Sequence, residues 1–196
     1  MGSVLSIQSK KKIFRETAHI VRQQLHAKVS ERTPLKLRDF LLEFLRSEPQ
    51  VKVVAGYMPI NTEINILPSL RALASIGITL CLPVVSEENH PLKFKSWGLN
   101  GDLVVGKFGV KVPKSGKFIE PDLILCPLLS YDALGNRLGY GGGFYDRTIG
   151  KLSAERNILV FGCAYAGQLS CEPLPVDNWD CKVDGVLTEE GIRFFG

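Results

Sequence analysis

Between Lys10 and about Val29 the apolar residues Phe14, Ala18, Val21 and Leu25 recur at helical spacing, which predicts an amphipathic helix with a basic flank. "ERTPLKLRDFLLEFLRSEP" predicts a second helix, with Thr33 as N-cap, Pro34 at the first helical position and Leu37, Leu41, Phe44 and Leu45 as its buried stripe. The period then changes. "VKVVAGYMP" reads as a buried strand, "INTEINILPSLRALASIG" as a turn and a helix closing at Gly77, and "ITLCLPVV" as a second strand. A strand, a helix and a strand in this order predict a parallel unit with a right-handed crossover.

From Ser86 to Glu120 lysine and glycine are more frequent, and "PLKFKSW" and "FGVKVP" read as short strands or edge segments. The buried-strand pattern resumes in "PDLILCPLLSYD". A glycine-rich run, a helix from about Gly143 to Leu152, the strand "NILVFGCAY" and a last strand and turn in "KVDGVLTEEGI" complete the chain. The expected fold class is α/β: residues 1–196 as one domain, two N-terminal helices, then an open, mostly parallel sheet with helices on both faces.

Composition narrows the functional classes. With 45% hydrophobic residues in 196, the chain can bury one sizeable core, and no apolar run approaches the roughly 20 residues of a membrane span. In "MGSVLSIQSKKK" the charges follow the apolar stretch, the reverse of a secretory signal, so a cytoplasmic location is expected. Five dispersed cysteines without a Cys-x-x-Cys pair, and only three histidines, argue against a disulfide framework or structural zinc; Cys81, Cys126, Cys163, Cys171 and Cys181 are expected as core thiols. The net charge of +4 is uneven: residues 1–46 carry ten Lys/Arg against four Asp/Glu, the rest fourteen against sixteen. No aromatic-interleaved RNA motif or DNA-binding helix pair accompanies the basic segment, so a phosphate-bearing small molecule is expected and nucleic acid is not.

Ligands of open parallel sheets settle beyond the carboxyl ends of the strands, which directs attention to three segments. Met58 and Glu63 follow the first strand, "GNRLGYGGGFYDR" follows "DLILCP", and "DNWDCKVD" with Asp177, Asp180 and Asp184 precedes the last strand. A glycine loop entering a helix presents free backbone N–H groups to an anion. Gly139, Gly141, Gly142 and Gly143 allow close approach and positive φ, Arg137 offers a bidentate guanidinium, and Asp146 a hard oxygen for Mg²⁺. Together these suggest a nucleoside triphosphate. The run is neither a P-loop nor a dinucleotide fingerprint, because G-x-x-x-x-G-K-[ST] is absent and Phe144 stands where the third glycine belongs. A tight structural connection would use similar glycines, and Glu63, Lys11 with Arg15 one turn later, and the late aspartates each have ordinary structural explanations when taken singly.

Taken in order, "GNRLGYGGGFYDR", Lys11 and Arg15 on the first helix, "GYMPINTE" and "PVDNWDCKVDGVL" resemble the 5-formyltetrahydrofolate cyclo-ligase family over nearly the full chain. The resemblance implies a Rossmann-like fold akin to sugar-phosphate isomerases and CoA-transferases, and a monomer. It implies ATP- and Mg²⁺-dependent conversion of 5-formyltetrahydrofolate, free or polyglutamylated, to 5,10-methenyltetrahydrofolate by phosphorylation of the formyl oxygen. Lys11, Arg15 and Arg137 would bind ATP phosphates with the loop residues Leu138, Gly139, Tyr140, Gly141, Gly142, Gly143, Phe144 and Tyr145. Arg137 and Asp146 would be catalytic, and Asp146 and Asp180 would hold the metal. Met58, Glu63, Phe108, Tyr140 and Phe144 would line the folate side. Tyr140 stands where many members carry a basic or flexible residue, and Gly142 where some carry lysine, so phosphate charge would be neutralised differently here. Two other classes stay open: an α/β enzyme acting on a sugar phosphate or CoA ester, and a noncatalytic nucleotide- or nucleic-acid-binding module.

Overall fold

The computed structural model describes residues 5–195; the first four residues of the N-terminal segment read above for its charge order, and Gly196, lie outside the described residues. The chain opens with α1 (Ile7–Ala27) and α2 (Thr33–Arg46), continues through β1 (Val53–Ala55), α3 (Leu67–Ser75) and β2 (Thr79–Val84), and then makes an excursion of β3 (Lys93–Ser96), β4 (Leu103–Val105) and β5 (Lys111–Pro113). It returns to the sheet at β6 (Leu123–Pro127). A short hairpin of β7 (Ser130–Tyr131) and β8 (Arg137–Leu138) leads to α4 (Phe144–Glu155), β9 (Leu159–Cys163), β10 (Gly185–Thr188) and β11 (Gly191–Phe194).

Seven strands form the main sheet in the order β11-β10-β9-β6-β1-β2-β3. The five inner strands are mutually parallel, and β3 and β11 are antiparallel edges. Period-2 alternation divides their side chains between two cores. Val54, Leu80, Leu123, Leu125, Phe161 and Leu187 join Leu37 and Leu41 of α2 and Leu70 and Leu73 of α3 on one face. Ala55, Ile124, Cys126, Val160 and Val186 meet Ile149 and Leu152 of α4 on the other. Helices thus cover both faces, as the alternation of strand and helix predicts.

Four local expectations are corrected. Thr33 is the first residue of α2 and Arg32 its cap, with no side-chain capping bond, so Pro34 sits one position later than expected. The first strand stops at Ala55: Gly56 N–H still bonds the Cys81 carbonyl of β2 at 3.0 Å, and Tyr57 and Met58 then line a cavity. Arg137 lies on β8, not in an irregular loop: the buried Asp132 carboxylate organises this hairpin by accepting from the backbone N–H groups of Leu134, Asn136 and Leu174 and from the Asn136 side chain at 2.8–3.0 Å. Cys171 is exposed and Cys181 half-buried, whereas Cys81, Cys126 and Cys163 are core thiols as expected.

The first β-strand marks the point where the chain reverses its direction of winding, with β2 to one side and β6, β9 and β10 to the other. A crevice opens there at the carboxyl ends of β1 and β6. Helix α1 runs across this crevice, not over a sheet face, and its inner side carries Lys11, Arg15 and Arg22 beside Phe14, Ala18 and Leu25.

Candidate active site

A cavity of about 1440 Å³ fills the crevice. Its walls come from the turn after β1 (Tyr57, Met58, Glu63), the ends of β2 and β6, the β8–α4 connection, the 177–181 loop and α1. The structure therefore brings together segments that lie more than a hundred residues apart in sequence.

The β8–α4 connection is shaped by glycine. Gly141 has φ +95°, and a Cβ there would stand 3.2 Å from the Arg15 guanidinium carbon; Gly143 has φ +65° and forms the left-handed cap of α4. Gly139 and Gly142 have no positive φ, which corrects the expectation for them. The cap leaves the first-turn N–H groups of α4 facing the connection, where the helix dipole favours negative charge. Arg15 Nε donates to the Gly139 carbonyl at 2.9 Å, while Arg147 Nη2 donates to the Gly142 carbonyl at 2.8 Å and its guanidinium lies over the Phe144 ring. The loop's carbonyls are thus turned onto arginines.

Three ion pairs line the cavity. Lys11, buried, meets Asp180 at 2.5 Å and Asp177 at 3.1 Å. Arg137, its side chain 5% exposed, meets Asp146 at 2.8 Å and also donates to the Cys181 carbonyl. The Lys11–Asp180 and Arg137–Asp146 pairs each join a cation expected at phosphate to a carboxylate expected at Mg²⁺. Arg15 has no such partner among the described residues.

The carboxylates are only half used. Arg137 and the Cys181 N–H both bond Oδ1 of Asp146, and Lys11 and the Asp177 N–H both bond Oδ2 of Asp180. Among the described residues no group of three or more His, Cys, Asp or Glu forms a metal cage. Two half-free carboxylates beside an anion-binding loop nevertheless suit Mg²⁺, which takes one or two protein oxygens and completes its shell with water and phosphate. Asp184 is elsewhere. It accepts from Val160 N–H at 2.7 Å at the amino end of β9 and takes no part in the cavity.

The opposite wall has a different character. Glu63 is buried, and its Oε2 accepts from Ile60 N–H at 3.0 Å. Burial pushes its carboxyl above the usual carboxylate range, against the Ile60 N–H, the Tyr140 hydroxyl and Arg22, which favour the charged form. Tyr140 is pushed up to about 12, first by burial and then by Glu63. Met58 lines the cavity beside them. Phe108, 66% exposed and held at φ +58°, packs against Phe144 with ring centroids 5.7 Å apart. Two of the three aromatic residues expected on the folate side, Phe108 and Phe144, therefore meet on one rim, and Tyr140 stands apart from that pair. Tyr145 lines the wall between them and Asp146.

Sequence reasoning missed Arg22, although its signal was present. It is seven residues beyond Arg15 and eleven beyond Lys11, hence on the same helix face. Exposed only 1%, it donates to Thr62 Oγ1, the Leu128 carbonyl and Tyr140 Oη. Trp179, 84% exposed on the cavity lip, was also passed over.

Comparison with known proteins shows the family. The model of the 5-formyltetrahydrofolate cyclo-ligase family matches residues 7–189. The 5-formyltetrahydrofolate cyclo-ligase of Haemophilus influenzae is 31% identical over 149 residues, covering 73% of this chain and 79% of that protein. That of Mycolicibacterium smegmatis is 30% identical over 189 residues, covering 82% and 95%. The NMR structure of Aquifex aeolicus 5,10-methenyltetrahydrofolate synthetase superposes with a TM-score of 0.72 at 29% identity, over 94% of this chain and 92% of that one. The chain belongs to the 5-formyltetrahydrofolate cyclo-ligase family.

Proposed function

We propose that the protein converts 5-formyltetrahydrofolate and ATP to 5,10-methenyltetrahydrofolate, ADP and phosphate. The observation that carries this reading is a single cavity with two chemically distinct walls: an anion-binding loop with three cations, and a buried carboxylate flanked by aromatic rings. Lys11, Arg15, Arg137 and the N–H groups at the start of α4 hold the triphosphate. Glu63 accepts hydrogen bonds from the pterin's amino and amide groups, and Phe108, Phe144 and Met58 pack on its rings. Tyr140 stands where the walls meet.

A formamide carbon is a weak electrophile, and phosphorylating its oxygen provides a leaving group. The formyl oxygen attacks the γ-phosphorus as the bond to ADP breaks; N10 then closes on the formyl carbon, and the bond to the phosphate oxygen breaks as the N10 proton leaves with the phosphate. The protein orients the two substrates and offsets phosphate charge. Asp146 and Asp180 would hold Mg²⁺, whose chemistry when bound is to neutralise charge on the phosphate oxygens. Binding then exchanges partners: Lys11 and Arg137 turn from carboxylate to phosphate.

Among the described residues no helix is long and apolar enough to cross a membrane. A cytoplasmic, monomeric enzyme that does not bind nucleic acid fits the unpaired cysteines and a basic helix whose inward cations already serve the cavity. The decisive experiment mixes purified protein with ATP, Mg²⁺ and 5-formyltetrahydrofolate and follows the absorbance of the methenyl product. Turnover that requires ATP is expected. No turnover, or ATP-independent activity on a sugar phosphate or CoA ester, would overturn the proposal.

A further inference from the structure

Arg147 lines the cavity with a charge that no carboxylate of the described residues meets. Its Nη2 donates to the Gly142 carbonyl at 2.8 Å, its guanidinium carbon lies 5.2 Å from the Phe144 ring centroid, and its Nε is buried without an acceptor. None of the ion pairs among the described residues includes it. The aspartates of the cavity lining are taken, Asp146 by Arg137 and Asp177 and Asp180 by Lys11, and the remaining acids of that lining, Glu63 and Glu88, form no pair with it. Gly143 leaves room for the side chain: a Cβ there would stand 2.5 Å from Nη1. A guanidinium has five N–H donors, and the Gly142 carbonyl takes one. Lys151, one turn along α4, and Lys107, next to Phe108, line the same cavity and add to the positive charge.

The folate reading brings two kinds of anion to this cavity, a triphosphate and the carboxylates of the folate's glutamate, and position separates them. Arg147 lies on the Phe144 ring, and Phe144 packs on Phe108 with centroids 5.7 Å apart, whereas Lys11 and Arg15 reach in from α1. 5-Formyltetrahydrofolate is a chain of pterin, benzoyl ring and glutamate. With its pterin against the buried Glu63, the benzoyl ring comes to the aromatic rim and the glutamate passes beyond it. Resting on that reading, we infer that Arg147 is a specificity-determining residue that grips a glutamate carboxylate of the substrate. A guanidinium offers a carboxylate two parallel donors, and stacking on Phe144 holds its plane.

The test pairs variants of Arg147 with an analogue of 5-formyltetrahydrofolate in which an n-butylamide replaces the glutamate, so that the amide stays and both carboxylates go. In wild type the analogue should show a KM about thirtyfold higher with similar kcat. Arg147→Met should raise KM for 5-formyltetrahydrofolate by about the same factor, and change KM for the analogue and for ATP by less than about twofold. Arg147→Lys, which keeps the charge without the fork, should lose about fivefold on 5-formyltetrahydrofolate and almost nothing on the analogue. Equal losses on both folates would leave Arg147 as a strap for the glycine loop, and a rise confined to KM for ATP would put it at phosphate; either overturns the inference. So does a wild type that uses both folates equally well. Where Arg147→Met does not fold, Arg147→Lys decides by the same comparison. A wild type that forms no methenyl product defeats the folate reading and this inference with it, whereas ready turnover with equal losses defeats the inference alone.

Discussion

The two ends of the same parallel sheet use carboxylates in opposite ways. At the amino end, Asp122 accepts from the N–H groups of Lys52 and Val53 at 2.9 Å and pairs with Arg156, and Asp184 accepts from Val160 N–H. These are strand clips: Asp122 spends both oxygens this way, and both residues lie away from the cavity. At the carboxyl end, Asp146 and Asp180 each place both bonds on one oxygen, and burial pushes the Glu63 carboxyl above the usual carboxylate range. The difference teaches that a candidate functional carboxylate here is recognised by an unsatisfied oxygen together with a place on the cavity wall, not by burial or by its sequence neighbours.

The sharpest way to break the comparison is Asp146→Asn. The amide keeps an oxygen for the Cys181 N–H but loses the charge that faces Arg137, so kcat/KM should fall about a thousandfold while the melting temperature falls by only a few degrees. Preserved activity with a large loss of stability would make Asp146 another clip. Glu63→Gln comes next. It should raise KM for 5-formyltetrahydrofolate about a hundredfold while stabilising the protein near pH 8 by about 2–4 °C. The sign follows from the raised carboxyl: its favourable contribution is complete below the ordinary carboxylate range and is lost as pH rises through the folded value. Thermal melts across pH 4–8 check this, and the gain should vanish at the acid end. The smallest effect is expected at the other end of the sheet. Asp122→Ala should cost about 2 kcal/mol in urea unfolding, with kcat/KM within about twofold of wild type.

Much of this was legible in the sequence, for identifiable reasons. The β1–α3–β2 unit has a clear change of hydrophobic period bounded by proline and glycine, and the α4 start is marked by its glycines. The β7–β8 hairpin was not legible, because two-residue strands carry no periodicity and Asp132 organises their turn partly through Leu174, far along the chain. Asp180 and Asp184 look alike four residues apart, and only tertiary pairing separates ligand candidate from clip. Lys11 and Arg15 could be assigned through family resemblance. Arg22 could not, since a cation in a helix reads as solvated unless its face is counted against the others.

Beside the apolar contacts of Ala18 and Leu25, helix α1 is held by polar anchors: Lys11 to Asp177 and Asp180, Arg15 to Gly139, Arg22 to Leu128, Thr62 and Tyr140, and His26 to Tyr165. Most of these belong to the candidate site or support it, so docking of the helix and occupancy of the cavity share one set of bonds. Local opening of α1 and release of ligand are therefore one linked equilibrium, and slowed amide exchange along residues 7–27 becomes a gauge of how full the site is.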